Sequence, residues 1–548
     1  MITAIELENA RLFEGGGWRF DLSPLTVLCG TNSAGKSTVL KTLLLLRQTL
    51  GIREVYGAKG RLRFVGSQVD LGNYRSFVSH NQVHRDLSIG LTFNGSMPRS
   101  LLAQLQATEV LPGTLPSLLD AEGLKDEYTL RCVFTYGLKP DVRGIISIEK
   151  PQEEEGSEEE TEKADDEPDV FETGTERPIL KSTVYELFSG GVKLLAWTVS
   201  IAVVSEAGET FYRIAFPRSY LDGPSGLETL DPTFVDLYDN VECPTSLRGS
   251  LPDRIFGKVR GSDRSENPED ADWRTWPLPP HMERALRDLR RKLSTIQYLG
   301  PLRAAAKRYY TAQVDPDTLL DPAGELLPYL LRDRGEMLVW NRRMHEEDSR
   351  KEKLTSALNY WLYYIRTGKT RNQYDECFGE LSLENTQELL IQLAVRSVTG
   401  TETYPLLDSG FGYSQLLPIL ARGLITNPGS TFIIEQPEVH LNPSLQVRLT
   451  DFLVAMSRAG KQMLVETHSE HIVNAVRALA AEDVSGITAA NSKVMYIEAT
   501  SGRPKLHELS VGPDGSVPGW PKEFFGEAAS LVGRLFRAKH ALSPKGSE

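Results

Sequence analysis

Apolar and polar positions change rhythm several times along this chain. In residues 2–29, ITAIEL and WRFDL alternate, and LTVLCG is continuously apolar. That predicts two short strands feeding a buried third strand that ends at Gly30. Directly after it, KSTVLKTLLLLRQTL at 36–50 carries its apolar residues at helical spacing. From about 60 to 240 the period falls to two in RLRFVG, DLSIGLTF, YTLRCVFTYG, GIISIEK, ILKSTVYELF and TFYRIAF, with Gly and Asn turns between them. This predicts antiparallel sheet. PHMERALRDLRRKL at 280–293 and most of 324–366 read as helix. ELLIQLAVRSVT returns to strand. LLDSGFGYSQLLPILARGL, the strand STFIIEQ, a helix over 444–458 and the strands KQMLVETH and KVMYIEA follow. No internal repeat is visible.

At 548 residues the chain is too long for one ordinary domain, so two or more lobes are expected. Hydrophobic residues make up 40% and charged residues 25%, the balance of a soluble globular protein. No apolar run is long enough to span a bilayer, and the N-terminus lacks the pattern of a secretory signal, so a cytoplasmic location is expected. Cys29, Cys132, Cys243 and Cys377 are scattered and form no CxxC pair, which argues against a disulfide framework or a zinc site.

The net charge of -13 is concentrated in one place. Residues 153–172 hold twelve acids against Lys163, so the remainder is nearly neutral. The stretch 150–178 reads as a disordered acidic loop between two strands; a DNA-mimicking or autoinhibitory tether is the sharper alternative.

The chemistry begins at Gly30 to Ser37, GTNSAGKS, a complete phosphate-binding loop between strand and helix. Its backbone N–H groups and the helix N-terminus suit the phosphates of ATP. Lys36 suits the β/γ-phosphates and Ser37 suits Mg²⁺. Gly30 and Gly35 permit the tight turn. In STFIIEQPEVHLNP, Glu435 ends a strand where a carboxylate holds Mg²⁺ through water, and Glu438 follows where one orients the attacking water. QMLVETH ends at His468, which suits a hydrogen bond to the γ-phosphate. Asp408-Ser-Gly-Phe-Gly-Tyr-Ser-Gln415 precedes a helix and is a candidate second anion site.

In this order, these motifs resemble the ABC-type P-loop ATPase head of the SMC, RecF and OLD proteins, an α/β fold with an antiparallel β lobe and a helical insertion. VDLGNYRSFV, YLGPLRAAAKRYY, DSGFGYSQLLPIL, IIEQPEVHLNP and VETHSEHIV are similar to one bacterial family of stand-alone ATPases. GPDGSVPGWPKEFFGEAASL is similar to the domain of unknown function that ends those proteins. Members include ATPase subunits of anti-phage systems such as Septu. The resemblance divides the chain into an N-terminal half of the head at 1–95, a β-rich lobe at 96–240, a helical insertion at 241–380, a C-terminal half of the head at 381–510 and a tail domain at 511–548. It implies a head-to-tail homodimer or higher oligomer, with ATP and Mg²⁺ between one chain's phosphate loop and the partner's signature segment at Ser409, Gly410, Gly412 and Ser414. It places Arg11 near the nucleotide, adds Asn32, Ser33 and Thr38 to the nucleotide-binding set, and makes Gln68 a metal-sensing residue. Glu438 becomes the catalytic carboxylate and His468 the switch histidine. The sequence departs from the pattern in having Glu435 where Asp is usual and Asn442 where relatives often carry His.

Three functions follow as expectations. The first is a slow ATPase that senses or regulates within an anti-phage complex, beside a separately encoded nuclease of HNH or Toprim type and with no nuclease site of its own. The second is a DNA-repair or chromosome-associated ATPase that binds DNA directly, through RALRDLRRK at 284–292 and through Arg303, Lys307, Arg308, Tyr309 and Tyr310. The third is a scaffold that binds ATP and hardly turns it over.

Overall fold

The computed structural model describes residues 1–50, 60–98, 101–102, 127–138, 178–204, 210–220, 230–231, 234–235, 240–259, 273–311, 321–370, 381–386, 390–396, 402–409, 411–482, 491–500, 503–518, 534 and 537. The acidic stretch up to 177, GIISIEK, Cys377, Gly410 and most of the tail lie outside them. The chain forms two compact units, Met1–Leu22 with Thr38–Ile296, and Ser23–Ser37 with Gln297–Glu548.

The first unit is built on an antiparallel sheet. Its strands run in the order Trp273–Pro277, Leu251–Val259, Asn240–Arg248, Thr210–Pro217, Val192–Val204, Ile179–Ser189, Glu127–Gly137, Leu87–Ser96, Ile2–Glu8 and Trp18–Asp21. Period-two alternation decides which face each residue takes. On Glu127–Gly137, the side chains of Tyr128, Leu130, Cys132, Phe134 and Tyr136 are buried. Arg131, on the other face, crosses to Glu6 at 2.6 Å and to Glu186 at 2.7 Å. The helix Pro280–Ser294 starts with proline at its first turn and buries Met282, Ala285, Leu286, Leu289 and Leu293. Its Asp288 accepts a hydrogen bond from Tyr128 at 2.8 Å.

The second unit centres on a six-stranded sheet in the order Gln297–Leu299, Thr431–Glu435, Gln462–Glu466, Leu25–Gly30, Ser492–Thr500 and Arg503–Leu509. The first five strands are parallel and the last is antiparallel. Burial on both faces explains why LTVLCG, TFIIE and QMLVE read as continuous apolar runs. Helices Phe411–Ile425 and Pro443–Arg458 pack on the sheet, and helix Leu354–Thr367 packs on those two helices. Trp361 and Phe452 meet edge to face at 5.1 Å in the shared core. No helix among the described residues is long and apolar enough to cross a membrane.

Three segments differ from the sequence expectation. RLRFVG forms isolated bridges rather than a strand, because Leu62 and Phe64 turn inward and Phe64 packs on Tyr74 and Phe77. The β-rich lobe does not stop at 240, since three further strands carry the sheet to Pro277. The span 324–366 is broken between its helices by a hairpin, Leu338–Asn341 with Arg350–Lys353. There Arg343 pairs with Glu352 at 2.6 Å, and Lys351 lies over the ring of Trp340.

Lys461 is fully buried in the second unit. Its ammonium donates to the carbonyls of Gly423 and Leu424 at 2.9 and 2.8 Å, near the C-terminus of helix Phe411–Ile425. Burial lowers its pKa to about 7. Between pH 7 and the ordinary lysine range the unfolded chain therefore binds the extra proton, so this group's contribution to stability rises with pH across that window. Lys461→Met removes that contribution. The stability of the wild type minus that of the variant should climb with pH above 7, by at most about 1.4 kcal/mol per pH unit. Denaturant titrations at pH 6.5, 8 and 9.5 check this; a difference that is flat with pH rules it out.

Candidate functional site

The carboxyl edge of the parallel sheet gathers the sequence-predicted groups of the second unit. Glu435 is in register with Glu466, and Glu466 with Leu28 of the phosphate-loop strand. In open parallel sheets this edge is where ligands bind. The loop leaves the strand through Gly30, whose φ is 141° and whose added Cβ would stand 1.9 Å from the carbonyl oxygen of Ile497. Only glycine fits there. The turn continues with Ser33 at φ 57° and Gly35 at φ 94°. Thr31 ties the loop to the adjacent strand through its N–H to the Ile497 carbonyl and its hydroxyl to the Ala499 N–H. Asn32 and Ser33 are exposed at the crest.

Lys36 is buried and folds back on its own loop, donating to the carbonyls of Thr31 at 2.7 Å and Gly30 at 3.2 Å. Burial pulls its pKa below the ordinary lysine range, and the carboxylates Glu466 and Glu438 oppose that shift. Ser37 donates its hydroxyl to Glu466 Oε1 at 2.8 Å. Glu435 accepts from the Tyr298 hydroxyl at 3.0 Å.

Glu438 is held at both oxygens. Oε2 accepts from the Thr467 hydroxyl at 2.8 Å, and Oε1 accepts from the His468 backbone N–H at 2.7 Å. The His468 side chain is exposed, and its pKa is lowered by partial burial and by the nearby charge of Lys36. Neutral imidazole is therefore the form present at pH 7. A serine hydroxyl, a lysine ammonium, loop N–H groups and hard carboxylate oxygens form a donor set that fits a nucleotide triphosphate with Mg²⁺.

The signature segment is described in part. The side chain of Ser409 lies outside the described residues, as does all of Gly410. Gly412, at the start of helix Phe411–Ile425, faces the carbonyl of His440, 3.5 Å from where its Cβ would be. Ser414 is buried two residues further on. Asn442, the departure noted in the sequence, caps helix Pro443–Arg458 by accepting from the Leu445 N–H at 3.0 Å.

Three expected site residues belong to the first unit. Arg11 adopts φ 51°, and its guanidinium lies over the Phe77 ring at 5.3 Å. Gln68 accepts from Arg47 at 2.6 Å. The carbonyl of Thr38 accepts from the Thr42 hydroxyl at 2.6 Å within the helix.

Two residues of this edge escaped the sequence reading. Glu466 ends VETH as Glu435 ends FIIE, and that parallel pattern of strand-end acids was the available signal. Arg303 was weighed only for DNA contact. It is buried, and Nη2 donates to the carbonyls of Glu435 at 2.8 Å and Gln436 at 3.1 Å, pinning the acidic turn. Burial lowers its pKa to about 10, against the pull of Glu438 and Glu435. Arg308 pairs with Asp408 at 3.0 Å, and Lys307 pairs with Glu325. These cations are engaged within the fold.

Residues 347–473 match the model of the AAA ATPase domain family. No curated protein matches the chain. Among solved structures, the chain is similar to an SMC head domain from Thermotoga maritima at 10% identity and TM-score 0.34, over 93% of this chain and 99% of that one. It is similar to an Smc head bound to the C-terminal winged-helix domain of ScpA at 12% identity and TM-score 0.34, over 93% and 98%. It is also similar to an Smc head with an extended coiled coil bound to the C-terminal domain of ScpA, derived from Pyrococcus furiosus, at 11% identity and TM-score 0.33, over 98% and 99%. These values are low. They carry no argument for this chain; the geometry itself is an α/β fold with a phosphate loop on a parallel sheet and one strand between it and the acidic strand, and with a large antiparallel sheet in the first unit.

Glu466→Gln keeps an acceptor for Ser37 and removes one charge. The variant is expected to fold with an unchanged thermal midpoint. The Mg²⁺ concentration that half-saturates ATP turnover should rise about tenfold or more, as for other groups that orient metal ligands. An unchanged Mg²⁺ dependence would reduce Glu466 to a structural partner of Ser37.

Proposed function

We infer that this chain binds ATP with Mg²⁺ and hydrolyses it to ADP and phosphate. The observation that carries this reading is the meeting, within one unit, of the Lys36–Ser37 phosphate loop with Glu435, Glu438, Glu466 and His468. The loop N–H groups and Lys36 bind the phosphates, and Lys36 exchanges its two carbonyl partners for phosphate oxygens. Bound Mg²⁺ would neutralise charge on the β- and γ-phosphates, held by Ser37 and through water by Glu435 and Glu466. Glu438 orients the attacking water and takes its proton. Its two hydrogen bonds fix the carboxylate in place before substrate arrives. His468, neutral at pH 7, donates to the γ-phosphate.

The carboxyl edge carries one half of a site. Ser409, Gly410, Gly412 and Ser414 supply the other half from a second copy in a head-to-tail dimer or higher oligomer. At the level of biology, the chain is the regulatory ATPase of an anti-phage complex whose separately encoded nuclease, of HNH or Toprim type, performs the cutting. The motif resemblance supports that role. Direct DNA binding through the 303–310 segment loses its support, since Arg303, Lys307 and Arg308 are spent on internal partners.

Two variants test the chemistry. Lys36→Ala should abolish Mg²⁺-dependent ATP binding in equilibrium dialysis; retained Mg²⁺-dependent affinity overturns the site. Glu438→Gln should retain ATP and lose about a hundredfold or more in turnover, the usual scale for a general base. Wild-type turnover in that variant would make the chain an ATP-binding scaffold. Affinity capture of the chain from its native cells with mass spectrometry tests the partner, and recovery without any nuclease counts against the complex.

A further inference from the structure

The first unit contains a cavity of about 430 Å³ that the ATPase reading leaves unused. Strands Asn240–Arg248, Leu251–Val259 and Trp273–Pro277 form one side, and helix Pro280–Ser294 forms the other. All of it lies between residues 248 and 290, whereas the phosphate loop belongs to the second unit.

The lining is unbalanced in charge. Arg248, Arg254, Arg287 and Arg290 face Asp253 and Glu283. Glu283 is occupied by Arg287 at 2.6 Å. Among the described lining residues, three guanidinium groups then share one carboxylate. Nη2 of Arg290 is buried with no hydrogen-bond partner among the described residues. Burial is the main influence opposing its charge, and the positive charge of Arg248 is the next. A buried guanidinium nitrogen lacking an acceptor, on a half-buried arginine beside a second guanidinium, is costly in an empty protein. An anion with several acceptor oxygens removes that cost, and planar guanidinium forks suit phosphate best.

The rest of the wall is apolar and partly flat. Trp276 and Leu286 are nearly buried, and their exposed remnants face the cavity. The volume falls in the range of clefts for small molecules. We propose that this arginine cavity binds a small phosphorylated ligand of mononucleotide size, its phosphate on Arg290 and Arg248 and its planar body against Trp276. It is a ligand site separate from the phosphate loop.

The test uses the full chain carrying Lys36→Ala, which silences the phosphate loop, with inorganic pyrophosphate and AMP as probes in isothermal titration calorimetry. Both probes should bind. Adding Arg290→Gln or Arg248→Gln should raise each dissociation constant about tenfold or more, the loss expected for one charge-assisted hydrogen bond. Arg291→Gln, on the same helix but outside the lining, should leave binding unchanged. Arg290→Gln relieves the repulsion from Arg248 and the burial of an unsatisfied Nη2, so its thermal midpoint without ligand should not fall, and a lost signal cannot then be blamed on unfolding. Arg248 is exposed on a strand end and gives a second, independent arm. No binding of either probe to the Lys36→Ala protein overturns the proposal. So does binding that Arg290→Gln and Arg248→Gln leave as tight as Arg291→Gln does. Binding of a duplex DNA oligonucleotide in place of both small probes also overturns it, by assigning the face to nucleic acid.

Discussion

Parallel register is the constraint on which the second unit depends. Glu435 pairs with Glu466, Glu466 with Leu28, and Gly30 with Ile497, so strands from the two ends of the chain finish at one edge. The side chains that leave this edge become neighbours without any local sequence relation. Apolar runs buried on two faces do not choose a register by themselves, since a one-residue slip leaves every side chain buried; the approach of Gly30 to the Ile497 carbonyl, which leaves no room for a side chain, does. A slip by one residue would put a Cβ into a backbone carbonyl and separate the Ser37 hydroxyl from Glu466.

Buried cations hold turns at both edges of this sheet, Lys36 and Arg303 at the carboxyl edge and Arg422 and Lys461 at the amino edge. Lys36 binds the carbonyls of Gly30 and Thr31, Arg303 those of Glu435 and Gln436, Arg422 that of Asp321, and Lys461 those of Gly423 and Leu424. Each binds carbonyls in a loop or at the end of a strand or helix. The same burial lowers the pKa of all four. Burying a charge is costly, and here the return is a fixed loop rather than net stability. That explains why arginine and lysine, which sequence patterning places at the surface, sit inside this unit.

Much of this was legible in the chain. Continuous apolar runs gave the parallel strands, alternation gave the antiparallel sheet, and GTNSAGKS marked the loop with its strand and helix. What stayed hidden had physical reasons. Phe64 and Leu62 mimic a strand face because aromatic packing in a loop also alternates. The hairpin at Leu338–Asn341 hides in a helical pattern because its strands are only four residues long. Arg303 looked like a surface charge because nothing in its spacing reveals a pair of distant carbonyls. Glu466 was overshadowed by His468 two positions on, although it alone shares the Ser37 hydroxyl.

The groups of the candidate site also differ in how ready they are. Lys36 and Ser37 are satisfied by the protein itself, through two carbonyls and one carboxylate. On the inferred function, nucleotide must displace those bonds, so its affinity reflects an exchange of partners and not a gain from nothing. Glu438 gives up nothing. Its oxygens are fixed by Thr467 and by the His468 N–H, and both donors lie on the turn that also presents the His468 imidazole. On that function the binding groups rearrange while the Glu438 carboxylate is set in advance. Because the turn that presents the His468 imidazole also holds Glu438, a displacement of His468 on phosphate release would move Glu438 with it. On the inferred function, hydrolysis and its structural consequence would then be coupled through Thr467, His468 and Glu438.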